Sequence, residues 1–272
     1  MRAAVCQMNS GRGDVDANVS AAERLLRLAA EGGADFASLP EMFPFHGSAS
    51  RIREIAEPVP GPITDRLAAV ARERRMWVLG GSIAERDGER IYNTSTLFDR
   101  SGELVAHYRK IHLFDVDLPG QPPFRESALY AAGEQLVTHE TEFARVGLSV
   151  CYDLRFPELY RGLMAVGTEV LLVPSAFTAH TGEAHWETLL RARAIENQCF
   201  VVAAAQWGGW GRPEDNRRCY GNSMVVDAWG RVLVRAPGEG EGVWFADLDM
   251  TELRRIRQKL PALQHRALGI SC

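Results

Sequence analysis

Three residues of reactive type stand where apolar stretches end. Cys151 follows the run at 147–150 and precedes a charged turn and a helix-forming stretch. Glu41 follows Leu39-Pro40, and Lys110 closes an apolar arm at 104–108. An ordinary thiol titrates near pH 8.5 and is mostly protonated at neutral pH, so a nucleophilic cysteine needs a base or a nearby cation. Glu41 can supply the base and Lys110 the cation, which together would suit acyl transfer through a thioester. Each residue also has a plainer reading. The cysteine can be a small core residue, the glutamate a solvated loop carboxylate, and the lysine a solvated charge at a strand edge.

The elements around these residues favour their meeting. Residues 3–8 and 35–40 have the pattern of buried strands, and 17–30 that of a helix stopped by Gly32-Gly33. A helix is expected over 63–75, a strand over 77–84, and a hairpin with arms 91–98 and 104–108 around the turn at 99–102. A long irregular segment, 113–133, carries Glu126 ahead of the strand leading to Cys151. Loops of that length in a folded domain usually serve function. After Cys151 the order starts again: helix 157–166, strand 170–173, helix 184–197, strand 200–206, a glycine-rich loop, and a hairpin turning at 227–230. Strand alternating with helix is the α/β pattern, and side chains at the carboxyl ends of such strands face the ligand crevice.

The second half repeats the first. Tyr92, Asp99 and Gly102 recur as Tyr220, Asp227 and Gly230, and Leu39-Pro40 before Phe43 recurs as Val173-Pro174 before Phe177. Two copies of one unit without a linker predict a single domain over 1–272, of two packed sheets with helices on their outer faces. A C-terminal piece, 251–272, is expected as a docking arm onto a second subunit.

Composition excludes several functions. The chain has 272 residues, 46% of them hydrophobic, and a formal net charge of -4 with the signs interspersed. There is no basic stripe for nucleic acid. No run approaches the roughly 20 apolar residues of a membrane span, and the run at 1–7 is too short for a signal peptide. The five cysteines form no CxxC pair and are odd in number, which argues for a reducing, cytoplasmic setting. The seven histidines, His180 and His185 included, show no metal-ligand spacing, and 208–211 lacks the strand-glycine-helix context of a phosphate loop. Neither metal nor cofactor is expected, and the loop 207–218 reads as a flexible rim.

The segments 39–43 (Leu-Pro-Glu-Met-Phe), 108–117 (Tyr-Arg-Lys-Ile-His-Leu-Phe-Asp-Val-Asp) and 151–158 (Cys-Tyr-Asp-Leu-Arg-Phe-Pro-Glu) resemble the three catalytic signatures of the nitrilase, or carbon-nitrogen hydrolase, superfamily. The segments 181–187, 190–198 and 223–230 are similar to its Nit branch of amidases, closest in wording to the deaminated-glutathione amidases. The resemblance implies an α/β fold, a four-layer α-β-β-α sandwich with an internal pseudo-twofold repeat, assembled at least as a homodimer. It implies Cys151 as nucleophile, Glu41 as general base, Lys110 as the cation that holds the oxyanion together with the Tyr152 backbone amide, and Glu126 as a second active-site glutamate. It also implies that Arg155, Phe177 and Thr181 line the substrate pocket. Other readings stay open at this point: Glu126 as an ordinary loop carboxylate, Arg155 as a partner of Asp153 or Glu158, and Phe177 as core. The implied substrate is a small linear amide, deaminated glutathione first and α-ketoglutaramate as the alternative, with a nitrilase or N-carbamoyl amidase further off. Two rivals of other classes are a non-catalytic scaffold and a Cys-His hydrolase based on His112 or His185.

Overall fold

The first strand, β1 (Arg2–Gln7), sorts its side chains between two interiors. Ala3 and Val5 enter the core between the sheets, while Ala4 and Cys6 enter a second core under two helices. Alternation with period two does this, because successive strand side chains point to opposite faces. The computed structural model describes residues 1–11, 14–117, 123–211 and 216–268. Parts of three expected segments lie outside the described residues: 118–122 of the long loop, 212–215 of the rim and 269–272 of the arm.

In the first half, β1 is followed by α1 (Val15–Glu31), β2 (Phe36–Ser38), α2 (Ala49–Ile55), α3 (Pro62–Arg74), β3 (Trp77–Leu79), β4 (Ile83–Asp87), β5 (Arg90–Phe98) and β6 (Leu104–Arg109). Short pieces β7 (Asp115–Val116) and β8 (Phe124–Arg125) flank part of the long loop. The second half has β9 (Thr138–Glu140), β10 (Arg145–Leu148), α4 (Pro157–Ala165), β11 (Val170–Leu172), α5 (Ala179–Asn197) and β12 (Phe200–Ala203). It goes on through β13 (Trp207–Gly209), β14 (Arg218–Tyr220), β15 (Met224–Val226), β16 (Val232–Arg235), β17 (Gly242–Asp247) and α6 (Met250–Lys259).

Among the described residues, two large sheets form, each built mainly from one half. In the first, β1, β2 and β3 are parallel, β3 and β4 lie in succession along one side of β5, and β6 lies along the other. In the second, the parallel trio is β10, β11 and β12, extended by antiparallel β15 and β16. The inner faces share one apolar core, and α1 and α3 cover the outer face of the first sheet. This is the expected four-layer α-β-β-α sandwich. The repeat reaches atomic detail, since both hairpins carry a register shift at matched places, Leu97/Phe98 and Val225/Val226. In each turn the aspartate, Asp99 or Asp227, accepts two backbone N–H groups through Oδ1, and the glycine that follows has φ +78° or +81°.

The structure corrects several expectations. The strand expected at 77–84 is two strands, because the chain breaks at 80–82 around Gly81 with φ +53°. Helix α5 begins five residues earlier than residue 184, so Thr181 lies in its first turn. The glycine-rich rim contains a two-stranded ribbon, β13 with β14. Helix α2 was not expected, nor was β17, which returns from the far end of the chain to pair antiparallel with β1. Within the expected arm, helix α6 packs Leu253 and Ile256 onto the core between the sheets, and Arg257 bonds the carbonyls of Gln198 and Thr168, which leaves the expectation of docking onto a second subunit untouched.

Candidate active site

The approach to Cys151 is an apolar strand that ends early. Strand β10 stops at Leu148, and a 3-10 turn over Cys151–Arg155 replaces the simple strand-end turn of the sequence reading. Cys151 itself has φ +47°, a left-handed backbone that a residue with a side chain adopts only when its surroundings enforce it. Its N–H is tied to Pro174 O at 3.0 Å, which anchors the turn to the end of β11. Asp153, fully buried, accepts from Val150 N at 2.9 Å, Tyr108 Oη at 2.8 Å and His112 N at 3.1 Å. One carboxylate therefore ties the turn of the thiol to the strand end that carries Lys110.

Glu41 sits on the matching strand end of the first half. Leu39 N–H bonds Leu79 O, Met42 N–H bonds Ser82 Oγ at 3.0 Å, and Met42 has φ +56°. The break at 80–82 explains this clamp, since a Cβ on Gly81 would come within 2.0 Å of Pro40 O. The second half completes the hold: Gln206 Nε2 donates to Glu41 O at 3.0 Å and Ala176 N to Glu41 Oε2 at 2.7 Å. Lys110 follows β6, where its N–H bonds Asn93 O at 2.9 Å. Glu126 opens a 3-10 turn, and its Oε2 accepts from Phe114 N at 2.7 Å.

All four expected residues meet. Lys110 Nζ lies 3.0 Å from Glu41 Oε1 and 2.8 Å from Glu126 Oε2. The exposures of Glu41, Lys110, Glu126 and Cys151 are 4%, 2%, 6% and 9%, so these charges interact away from bulk water. Burial would raise the Glu41 carboxyl, but the Lys110 charge and hydrogen bonds from Cys151, Lys110 and Ala176 outweigh it and hold the carboxyl below its usual value. Burial would lower Lys110, yet Glu126 and Glu41 push it well above the usual lysine value. Cys151 is pushed well above the usual thiol value, first by burial and then by the Glu41 charge. The resting state at neutral pH is thus a carboxylate at Glu41, an ammonium at Lys110 and a thiol at Cys151.

These residues open onto a cavity of about 260 Å³, which Tyr152, Arg155, Phe177 and Thr181 also line. Arg155 pairs with neither Asp153 nor Glu158. Its Nη1 is 3.1 Å from His185 Nδ1, and its guanidinium lies 5.0 Å from the Phe177 ring and 5.8 Å from that of Tyr152. Phe177 serves core and cavity at once, with its ring 5.1 Å from Trp186. Thr181 Oγ1 shares a hydrogen bond with Thr178 Oγ1 at 2.8 Å. The histidines of the rival reading are engaged elsewhere: His112 Nδ1 bonds Asp153 Oδ1 at 2.7 Å with its ring stacked on Phe156, and His185 bonds Arg155.

Three residues at this site had not been singled out in the sequence. Asn93 donates from Nδ2 to Glu41 Oε1 at 2.9 Å and to Glu126 Oε1 at 3.1 Å. An asparagine inside a strand of apolar and threonine residues was the available signal, since strands are poor in asparagine. His46 lines the cavity, stacked on Trp210 at 3.9 Å between ring centroids. Asp153, which the sequence offers as a partner for Arg155, instead accepts from Val150 N, Tyr108 Oη and His112 N.

Residues 2–258 match the carbon-nitrogen hydrolase family. Over 270 residues the chain is 44% identical to the deaminated glutathione amidase of Bos taurus, covering 97% of this chain and 81% of that protein. Over 252 residues it is 40% identical to the omega-amidase of Mus musculus, covering 92% of this chain and 89% of that protein. The crystal structure of the C. elegans NitFhit protein superposes with a TM-score of 0.88 at 38% identity. That match covers 98% of this chain and 65% of the NitFhit chain, so this chain spans about two thirds of that longer protein.

Proposed function

The chain belongs to the carbon-nitrogen hydrolase family, and on that premise we propose that it hydrolyses a small linear amide, deaminated glutathione, through a thioester on Cys151. The observation that carries this reading is the buried Glu41 carboxylate, 3.0 Å from Lys110 Nζ and lining one cavity with Cys151. Glu41 takes the thiol proton as the sulfur attacks the amide carbonyl. The oxyanion forms between the Lys110 ammonium and the Tyr152 backbone N–H, where preorganised donors favour the tetrahedral state over the flat amide. Glu41, now a carboxylic acid, gives its proton to the departing nitrogen. Water then enters, Glu41 deprotonates it, and the thioester collapses to acid and free thiol. Glu126 holds Lys110 in place through both of its carboxylate oxygens.

At the substrate end, Arg155 beside Phe177 and Thr181 suits the carboxylate of a keto-acid half, which an arginine fork grips through two parallel hydrogen bonds. The role is metabolite repair in the cytoplasm. Four described cysteines are buried free thiols, which suits a reducing compartment, and no helix among the described residues is long and apolar enough to cross a membrane. The second reading, an ω-amidase acting on α-ketoglutaramate, is favoured by the similarity to the mouse omega-amidase. Measuring kcat/KM for both substrates decides. Deaminated glutathione is expected to be preferred by about tenfold or more, and a preference for α-ketoglutaramate overturns the first reading.

A further inference from the structure

Asn93 has no role in the mechanism above. It stands on β5 next to the lysine, and its side chain, 1% exposed, puts one NH2 group between the two carboxylates. That group lies 2.9 Å from Glu41 Oε1 and 3.1 Å from Glu126 Oε1. Lys110 Nζ reaches the same two oxygens at 3.0 and 3.1 Å. The other end of the amide, Oδ1, is buried without a hydrogen-bond partner. An orphaned buried acceptor is costly, so the side chain is held there for its NH2 end.

An ammonium has three protons, and Lys110 directs all of its hydrogen bonds at Glu41 and Glu126. A developing oxyanion needs one of them. Turning it away strips a donor from a buried carboxylate, unless a second donor already sits on the same oxygen. We infer that Asn93 is a positioning residue that duplicates the contacts of Lys110, so that the ammonium turns to the oxyanion while Glu41 and Glu126 keep their places. The inference rests on the roles assigned above to Glu41, Lys110 and Cys151.

Asn93→Ala, with Asn93→Ser as a milder variant that keeps one donor, tests this. The titratable groups facing Glu41 are Lys110, Glu126, Cys151, Tyr130, His46 and Cys219. The variants leave these in place and remove only a donor to the ionised carboxylate, so the acid limb of kcat/KM moves to higher pH. In Asn93→Ala, kcat falls about 10–100-fold with KM within about threefold, and Asn93→Ser lies between it and the parent. The pH profile of Cys151 alkylation by iodoacetamide moves in the same direction, and it reads the base without turnover. A loss of kcat with both pH profiles unmoved means packing alone, and overturns the inference, as does a loss confined to KM or no loss. Should the alanine variant fail to fold, as judged by circular dichroism, the serine variant decides. Glu41→Gln run in parallel separates the failures: an active Glu41→Gln removes the underlying roles, whereas an inactive one beside unshifted Asn93 variants removes this inference only.

Discussion

A thiol enclosed at this depth, pushed up by burial and by a neighbouring carboxylate, cannot wait as a thiolate for its substrate. In the proposed reaction deprotonation accompanies attack, which makes the Glu41 carboxylate as necessary as the sulfur. Cys151→Ala and Glu41→Gln are each expected to lower kcat by about 10³-fold or more with an unchanged circular dichroism spectrum, because the proposed mechanism uses both residues in the same step. Histidine variants at His112 and His185 that cost as much as Glu41→Gln would point instead to an imidazole base. His46 matters at this scale for a different reason. Burial, with help from Lys110 and Arg217, pushes it from 6.5 down to about 4. The unfolded chain therefore takes up a proton below pH 6.5 while the folded one resists it. The stability contributed above pH 6.5 is lost as pH falls toward about 4, roughly 3 kcal/mol in all. His46→Gln is expected to flatten the decline in urea midpoint between these pH values, and an unchanged slope would assign the decline to other groups.

At the scale of elements, the site depends on where strands stop. Gly81 lets the backbone between β3 and β4 pass against Pro40, and Ser82 then holds Met42 just beyond Glu41. Gly81→Ala would add a Cβ 2.0 Å from Pro40 O at a left-handed φ. The expected result is a loss of about 2–4 kcal/mol and a lower kcat, as the Glu41 clamp gives way. Gly88 offers the control: it has φ +58° with nothing within 4 Å of an added Cβ. Gly88→Ala is expected to cost only about 1–2 kcal/mol and to leave kcat unchanged. Equal effects on kcat from the two would show that the approach to Pro40 does not position the base. The two breaks, at 80–82 and ahead of Cys151, differ in how legible they are in the sequence. At 80–82 the triplet Gly80-Gly81-Ser82 is itself a break signal, whereas ahead of Cys151 the stretch 146–150 carries no mark of where hydrogen bonding to the neighbouring strand ends.

For the whole molecule, the internal repeat explains why the site lies where it does. Each half brings a proline-ended strand to the seam, and the halves cross-tie there through Ala176 N to Glu41 Oε2, Gln206 Nε2 to Glu41 O, and Tyr108 Oη to Asp153 Oδ2. The second half also presents apolar side chains outward. Trp229 is 53% exposed, Ile195 50% and Leu233 40%, on the β15–β16 hairpin and the end of α5. An apolar patch on an edge hairpin suits self-association. Sedimentation is expected to give a homodimer at micromolar concentration, and Trp229→Asp with Leu233→Asp to give monomers; a monomeric parent protein would end that expectation.

The amino-acid order by itself marked the alternation of strand and helix, the twofold repeat, and the candidate residues Glu41, Lys110 and Cys151. All of these rest on local periodicity, on spacing, or on motifs that are contiguous in the chain. Only the tertiary structure decided that Asn93 joins the two carboxylates, that Asp153 belongs to the turn rather than to Arg155, and that β17 closes onto β1. Those facts depend on which groups, tens to hundreds of residues apart, must satisfy one another's hydrogen bonds once water is excluded, and sequence spacing carries no record of that.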